Sequence, residues 1–177
     1  MRQDALHQDK SGQEDRDAVD QIVAQWHVER PDLDPSAKQV TGRIIRLSAR
    51  FQEVFDAAFQ DLGISESDYG VLAPLRRAGA PYELTPTELA NQRMITSGGM
   101  TAAIDRLARK GMLVRVPNPA DRRGSLVRLT AHGRNIVDQA MARHAAAEHE
   151  LIGGLPASDR ERLVELLRML LRAVDAG

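Results

Sequence analysis

The chain has 177 residues, of which 42% are hydrophobic and 3% aromatic, and it contains no cysteine. This length supports one well-packed core, and an apolar content of mostly Leu, Val, Ile and Ala favours packed helices over a β-sandwich. The lack of cysteine excludes disulfides, thiolate metal sites and thiol-based redox sensing. We expect a soluble, cytoplasmic protein, because no apolar stretch approaches the length of a membrane span and the first residues lack the apolar core of a signal peptide.

The formal net charge of −1 is an average over segments of opposite sign. Residues 1–20 contain six acidic and three basic side chains, whereas residues 101–134 contain eight basic and two acidic ones. Binding to phosphate requires such a local excess of positive charge, although a charged run is also typical of a solvated face. The basic run coincides with a predicted hairpin, which favours the nucleic-acid interpretation.

The N-terminal third of the chain is predicted to contain a tail, a short helix and a long helix. Residues 1–17 are polar and acidic and predict a disordered tail, and residues 18–35 predict an extra N-terminal helix and a turn. Ser36, with Gln39 as its reciprocal partner, is predicted to cap the long helix, which ends at Gly63.

Three helices follow, and the last two are joined by a turn. Ser65 with Asp68 is predicted to open the first of them, which stops near residue 79. The segment 85–88, Thr-Pro-Thr-Glu, has a hydroxyl cap, proline at the first helical position and glutamate at the third, and it predicts a short helix to residue 92. The next helix, over 97–110, has Met100, Ile104 and Leu107 on its inner face.

The remaining chain predicts a hairpin and two helices. Residues 112–116 and 125–129 are rich in Val and Leu and flank a loop with proline, asparagine and glycine, so they predict an antiparallel pair. Thr130 is predicted to cap a long helix to residue 153, and Ser158 to cap a last helix with a broad leucine stripe.

The order of elements predicts a mainly α fold. Residues 64–130 form a winged helix-turn-helix with a small antiparallel β-hairpin wing, between long dimerisation helices at 36–63 and 131–174. The apolar faces of these helices need a partner, and a two-fold dimer would bury them while placing two DNA-binding heads about one helical turn of DNA apart. A monomeric helical core is the alternative.

This arrangement predicts how DNA is bound. The N-terminal end of helix 97–110 should enter the major groove, and the arginines at the hairpin tip should enter the minor groove. Asp121 is predicted to orient the wing by pairing with a nearby arginine. The predicted DNA-binding residues are Thr96, Ser97, Gly98, Thr101, Ala102, Asp105, Arg106, Arg122 and Arg123. Gly98 either allows close approach of the backbone to DNA or simply leaves a flexible helix start.

These segments resemble the MarR-type winged-helix regulators. The resemblance covers residues 36–174 and rests on LTPTELA at 84–90, TSGGMT at 96–101 with IDRL at 104–107, GMLV at 111–114, and DRRG at 121–124 leading to VRLT at 127–130. It implies an obligate homodimer that binds a palindromic operator in duplex DNA, usually as a repressor, and is released by a small molecule. Relatives often carry Asn-Arg where this chain has Ala102 and Ala103, which implies more reliance on the wing.

A second resemblance concerns the effector. The segment from residue 18 to 34 is similar to the extra first helix of a MarR subgroup that includes urate-responsive regulators, in which a tryptophan of this helix helps to line a ligand pocket. It implies a small anionic aromatic ligand, with candidate contacts at Trp26, His27, Arg46, Arg50 and Asp68. Packing of Trp26 in the core is the alternative, and an acidic residue that relatives often carry nearby corresponds to Gly70.

The sequence offers no catalytic or metal-binding constellation, so we expect neither an enzyme nor a bound metal or cofactor. The five histidines are scattered, and HExxH, phosphate-loop and GxSxG patterns are absent. The main rival is a winged-helix module that serves protein contacts or binds DNA without a regulating ligand.

Overall fold

The computed structural model describes residues 16–92 and 97–176, with only the backbone of Ser97, Gly98, Arg122 and Arg123. The predicted tail at 1–17 therefore lies almost entirely outside the described residues. The chain divides into two compact units, residues 1–51 and residues 52–177, and the division falls within helix α2 (Lys38–Phe59). Each unit is described separately.

The first unit contains helix α1 (Ala18–Glu29) and the beginning of α2. Asp17 caps α1 by accepting hydrogen bonds from the backbone of the first turn, and the Asp20 side chain returns one to the Asp17 N–H. Val19 packs where Gly42 lacks a side chain, since a Cβ there would lie 3.1 Å from Val19 Cγ1. Arg43 of α2 donates to Asp17 and Asp20 over 2.9 and 2.8 Å, which fixes the start of α1 against α2.

The predicted cap of the long helix is wrong. Helix α2 begins at Lys38, and the Ser36 hydroxyl donates to Asp34 over 2.9 Å instead of receiving a helical N–H. Asp34 also accepts from the Ser36 N–H, so this carboxylate forms a local turn that competes with capping.

In the second unit, α2 continues into a 3₁₀ helix, Gln60–Leu62, and Gly63 ends it with φ 65°. The elements that follow are α3 (Glu66–Arg77), β1 (Glu83–Leu84), α4 (Pro86–Gln92), α5 (Ser97–Arg109), β2 (Leu113–Asn118), β3 (Asp121–Leu129), α6 (Ala131–Ile152) and α7 (Ala157–Asp175). The capping predicted at Ser65, Thr85 and Thr130 is confirmed, because each hydroxyl accepts an N–H from the first turn of its helix. The mainly α, winged-helix prediction is confirmed.

The sheet has three antiparallel strands in the order β1-β3-β2. The predicted hairpin is present, with Leu113 opposite Leu129 and Arg115 opposite Val127. Strand β1, which the sequence analysis did not predict, places Glu83 opposite Arg128, and the Arg128 Nε donates to the Glu83 carboxylate over 2.6 Å.

The core of the second unit is built from α3, α4, α5, α6 and the sheet. Met100, Ile104 and Leu107 of α5 are buried as predicted, together with Leu72 of α3 and Val137 of α6. Helix α6 starts directly against the chain before β2, since a Cβ at position 133 would lie 2.0 Å from the Met112 carbonyl oxygen. Only glycine fits at that position. The start of α6 therefore packs directly against the backbone at Met112, between α5 and the wing.

Helix α7 differs from the other helices of the unit because none of its residues is buried. Its leucine stripe, 163, 166, 167, 170 and 171, is between 39% and 53% exposed. The predicted Ser158 cap is wrong: the helix begins at Ala157, one residue before Ser158, and follows Pro156 without a side-chain cap.

Candidate nucleic-acid interface

Helices α4 and α5 form the predicted helix-turn-helix. The inner face of α5 is buried, and its opposite face exposes Gly99, Thr101, Ala102 and Asp105. Ser97 and Gly98 lie in the first turn of α5, and Thr96 lies outside the described residues. The structure therefore presents one exposed edge of α5, beginning at its N-terminus, where free backbone N–H groups and short side chains meet.

Arg106 has a different partner from the one that the sequence suggested. Its Nε and Nη2 donate to Asp68 Oδ1 over 2.9 and 2.5 Å, so the guanidinium is directed toward α3. Contact between Arg106 and base edges stays a prediction, and in this structure Asp68 holds the guanidinium. The two residues are 38 positions apart, and their pairing depends on the packing of α3 against α5.

Asp68 is the charged residue at the centre of this junction. It is only 2% exposed, and it also receives Lys110 Nζ at 3.3 Å and the Ser65 backbone N–H at 3.3 Å. Burial raises the pKa of Asp68, but the Arg106 hydrogen bond, the Ser65 N–H and the Lys110 charge outweigh burial and leave the pKa below its ordinary value. The carboxylate is thus held ionised and fixes α5 on α3.

Lys110 was missed by the sequence analysis as a functional residue. Its Nζ also donates to the Gly63 carbonyl oxygen over 2.8 Å, so it ties the end of α5 to the turn before α3. The spacing of four between positions 106 and 110 places both cations on one side of α5, and this spacing is the available sequence signal.

Asp105 does not extend freely from α5 either. Its Oδ1 accepts from Arg115 Nη2 of β2 over 2.9 Å, and both side chains are about half exposed. The pair joins the DNA-facing helix to the wing. Contact between Asp105 and base edges stays a prediction, and in this structure the carboxylate is bound to Arg115.

The wing is longer than predicted. Strand β3 starts at Asp121, so the predicted loop at 118–124 is reduced to a tight turn in which Asn118 Oδ1 accepts the Ala120 N–H over 2.9 Å. Arg122 and Arg123 lie in this first part of β3. Asp121 is exposed, and its Oδ2 would lie 3.0 Å from a Cβ at position 124 of the same strand. The pairing of Asp121 with an arginine of the wing stays a prediction.

The predicted ligand contacts fall in both units. Trp26 is 44% exposed on α1, and His27, Arg46 and Arg50 are exposed on α1 and α2. The alternative that Trp26 packs in the core of its own unit is therefore wrong. Asp68 lies in the second unit, where it lines a groove of about 680 Å³ with Asp56, Gln60, Ser65, Arg106 and Lys110.

Within residues 16–92 and 97–176, no group of three His, Asp or Glu side chains is arranged to hold a metal ion. No helix in this part of the chain is long and apolar enough to cross a membrane.

Comparison with known proteins identifies the family. Residues 62–124 match the model of the MarR family. The HTH-type transcriptional regulator PecS of Dickeya dadantii is 34% identical over 149 residues, which are 84% of this chain and 90% of PecS.

Two solved structures are similar to this chain. A mutant of MarR from E. coli complexed with operator DNA superposes with a TM-score of 0.68 at 28% identity, covering 88% of this chain and 99% of the other. BpsR of Bordetella bronchiseptica, whose DNA binding is regulated by 6-hydroxynicotinic acid, gives a TM-score of 0.68 at 27% identity, covering 76% and 94%. This chain therefore belongs to the MarR family of winged-helix, DNA-binding transcriptional regulators, which are not enzymes.

Proposed function

We propose that the chain is a homodimeric repressor that binds a palindromic operator and is released by a small anionic aromatic ligand. The observation that carries the DNA-binding part is the exposed N-terminal edge of α5 on a helix whose inner face is buried in the core. A rigidly supported helix with an exposed polar edge is suited to insertion into the major groove.

Base recognition then depends on few side chains. Arg106 and Asp105 are bound to Asp68 and Arg115. We therefore propose that Ser97, Thr101 and Ala102 meet the bases, while the backbone around Gly98 approaches phosphate. Arg122 and Arg123 at the start of β3 would enter the adjacent minor groove, where the negative potential attracts guanidinium groups.

The exposed face of α7 supports the homodimer. A row of leucines on a helix without any buried residue carries a large apolar area, and such an area on a soluble protein marks an interaction surface. In the first unit, Val40, Ile44 and Leu47 of α2 are also exposed. A second copy presenting the same faces would bury them in a two-fold interface.

The groove beside Asp68 supports regulation by an anionic ligand. Arg106 and Lys110 line it and are each more than one-third exposed, so an entering carboxylate could compete with Asp68 for them. Loss of their hold on Asp68 would free α5 to move relative to α3 and weaken operator binding. In the first unit, Trp26 remains a proposed stacking contact for an aromatic ring, and His27, Arg46 and Arg50 remain proposed contacts for the negative charge of an aromatic acid.

The test uses fluorescence anisotropy with labelled duplexes from the intergenic DNA next to the gene of this protein. We expect nanomolar binding of a palindromic duplex, an affinity that falls steeply with salt, and release by a member of a panel of aromatic acids that includes urate. Arg123→Ala should lower affinity strongly, whereas Arg172→Ala on α7 should not.

The DNA-binding part of the proposal and the ligand part can each be contradicted separately. Duplex binding without salt dependence, or no binding at all, would favour the module for protein contacts. Binding that no aromatic acid weakens would favour a regulator that is independent of such ligands.

A further inference from the structure

The ion pair between Asp105 and Arg115 joins the DNA-facing edge of α5 to the wing. Asp105 shares this edge with Thr101 and Ala102 and lies one helical turn after Thr101. From Gly99 to Asp105, the carboxylate of Asp105 is the only charged group in the sequence. An unpaired Asp105 would therefore turn a negative charge toward the phosphates of bound DNA, and its partner decides whether it does so.

The register of the wing explains why Arg115 lies beside α5. Arg115 follows Leu113 by two residues on β2, and Val127 of β3 lies directly opposite Arg115. Leu113 and Val127 are buried, so this side of the hairpin faces the core. Arg115 is on the same side, where its Nη2 donates to Asp105 Oδ1 over 2.9 Å. The wing thus holds this guanidinium at the DNA-facing edge of α5.

The pair is open to solvent. The side chains of Arg115 and Asp105 are 41% and 56% exposed, and an exposed pair contributes little to the stability of a fold. Its main consequence is that the guanidinium is occupied by a carboxylate of the same chain. We propose that Asp105 withholds Arg115 from the DNA backbone and so limits the affinity of the chain for duplex DNA of any sequence.

This inference rests on the proposed DNA-binding function, and in it Asp105 is a positioning residue that acts through Arg115. A guanidinium that binds a phosphate displaces a condensed counterion, which makes the affinity fall more steeply with salt. While Arg115 is paired with Asp105, it displaces none. Contacts to the DNA backbone carry no sequence information, so releasing Arg115 should strengthen binding to operator and random duplexes alike.

The test is fluorescence anisotropy with labelled random and palindromic duplexes between about 50 and 200 mM KCl. Asp105→Asn should raise the affinity for both duplexes by up to about fivefold at the lower salt concentration, which is the effect of one exposed ion pair. It should also steepen the slope of log affinity against log salt by about 0.9 for each DNA-binding head.

Arg115→Gln should leave that slope unchanged, because Arg115 does not contact phosphate in the original chain. Asp105→Asn combined with Arg115→Gln should also have the slope of the original chain, since no guanidinium is then released. Both positions are exposed, so the variants should fold like the original chain.

Asp138→Asn is the matched control. Asp138 is an exposed acid that accepts from Arg76 over 2.6 Å, but this pair joins α6 to α3 and involves neither α5 nor the wing. Asp138→Asn changes the net charge by the same amount as Asp105→Asn, yet its slope should equal that of the original chain.

The proposal is overturned if Asp105→Asn leaves the slope unchanged, if its steeper slope persists when Arg115 is also replaced, or if Arg115→Gln alone lowers the slope. A loss of affinity in Asp105→Asn that is confined to operator DNA would also overturn it, because Asp105 would then read a base. If the original chain binds no duplex in a salt-dependent way, the proposed DNA-binding function fails together with this inference, which distinguishes that result from the others.

Discussion

Helices α5 and α7 have the same kind of sequence pattern but different surroundings. Both are amphipathic, yet the apolar side of α5 is buried in the core of its own unit, while the leucine stripe of α7 is exposed along its whole length. Hydrophobic periodicity therefore predicts an element and its apolar face, but not which chain will cover that face. The apolar face of α5 is covered by the same chain, and we propose that a second copy of the chain covers the leucine stripe of α7.

The largest change is predicted for a substitution in the leucine stripe of α7. Leu167→Glu would place a charge at the centre of the α7 stripe, and in a two-fold interface two such charges would be buried. We expect the dimer dissociation constant to rise at least about 1,000-fold, with a sedimenting species of 19.5 kDa, and operator affinity to be lost with the dimer.

Arg172→Glu introduces the same side chain on the opposite face of α7 and should leave the dimer intact. A dimer that survives Leu167→Glu would show that the stripe of α7 is not the interface.

The second effect concerns stability within one chain. Leu107→Ala should destabilise the fold by about 2–5 kcal/mol, because Leu107 of α5 is completely buried and the change leaves a cavity. Met169→Ala on α7 should change the free energy of unfolding by less than about 0.5 kcal/mol, because Met169 is 66% exposed.

Both substitutions are best measured by urea unfolding in the Leu167→Glu background, where association does not contribute to stability. Equal losses of unfolding free energy at the two positions would mean that α7 packs within its own chain. That result would contradict the proposed difference between α5 and α7.

The sequence signals that succeeded are local ones. Ser65, Thr85 and Thr130 are identifiable as caps because a hydroxyl residue directly precedes each helix. An acidic residue three positions further on supports Ser65 and Thr85, and a proline at the first helical position also supports Thr85. Ser36 and Ser158 show the limit of such signals. Asp34 competes for Ser36, and α7 begins before Ser158 can cap it.

The parts of the site that escaped prediction depend on contacts distant in sequence. Arg106 pairs with Asp68 across 38 residues, and β1 is two residues long and becomes a strand only because β3 lies beside it. Neither partner could be identified from composition or spacing. The partners that hold Arg106 and Asp105 in this structure therefore escaped prediction.

The third expected effect tests how α5 is fixed on α3. Asp68→Asn removes the carboxylate that Arg106 and Lys110 share, and it should cost about 1–3 kcal/mol of unfolding free energy. Operator affinity should also fall, since α5 loses its anchor. Asp175→Asn, at the exposed end of α7, is the matched control and should have no measurable effect.

The dependence on pH follows from the lowered pKa of Asp68. Its contribution to stability should be complete above the ordinary value of 3.8 and should be lost as the pH falls through the lower folded value. Urea unfolding across acidic pH should therefore show a smaller loss in Asp68→Asn than in the original chain. Parallel curves would show that another carboxylate controls the acid response.

The smallest expected effect concerns the exposed edge of α5. Thr101 is exposed on α5 and does not contribute to the core, so Thr101→Ala should leave the free energy of unfolding within about 0.5 kcal/mol. If this edge reads bases, the same change should weaken operator binding by about tenfold and leave binding to random duplex unchanged. An equal loss on both duplexes would instead place Thr101 at phosphate, because backbone contacts carry no sequence information. No loss on either duplex would mean that DNA recognition depends on the wing rather than on this edge of α5.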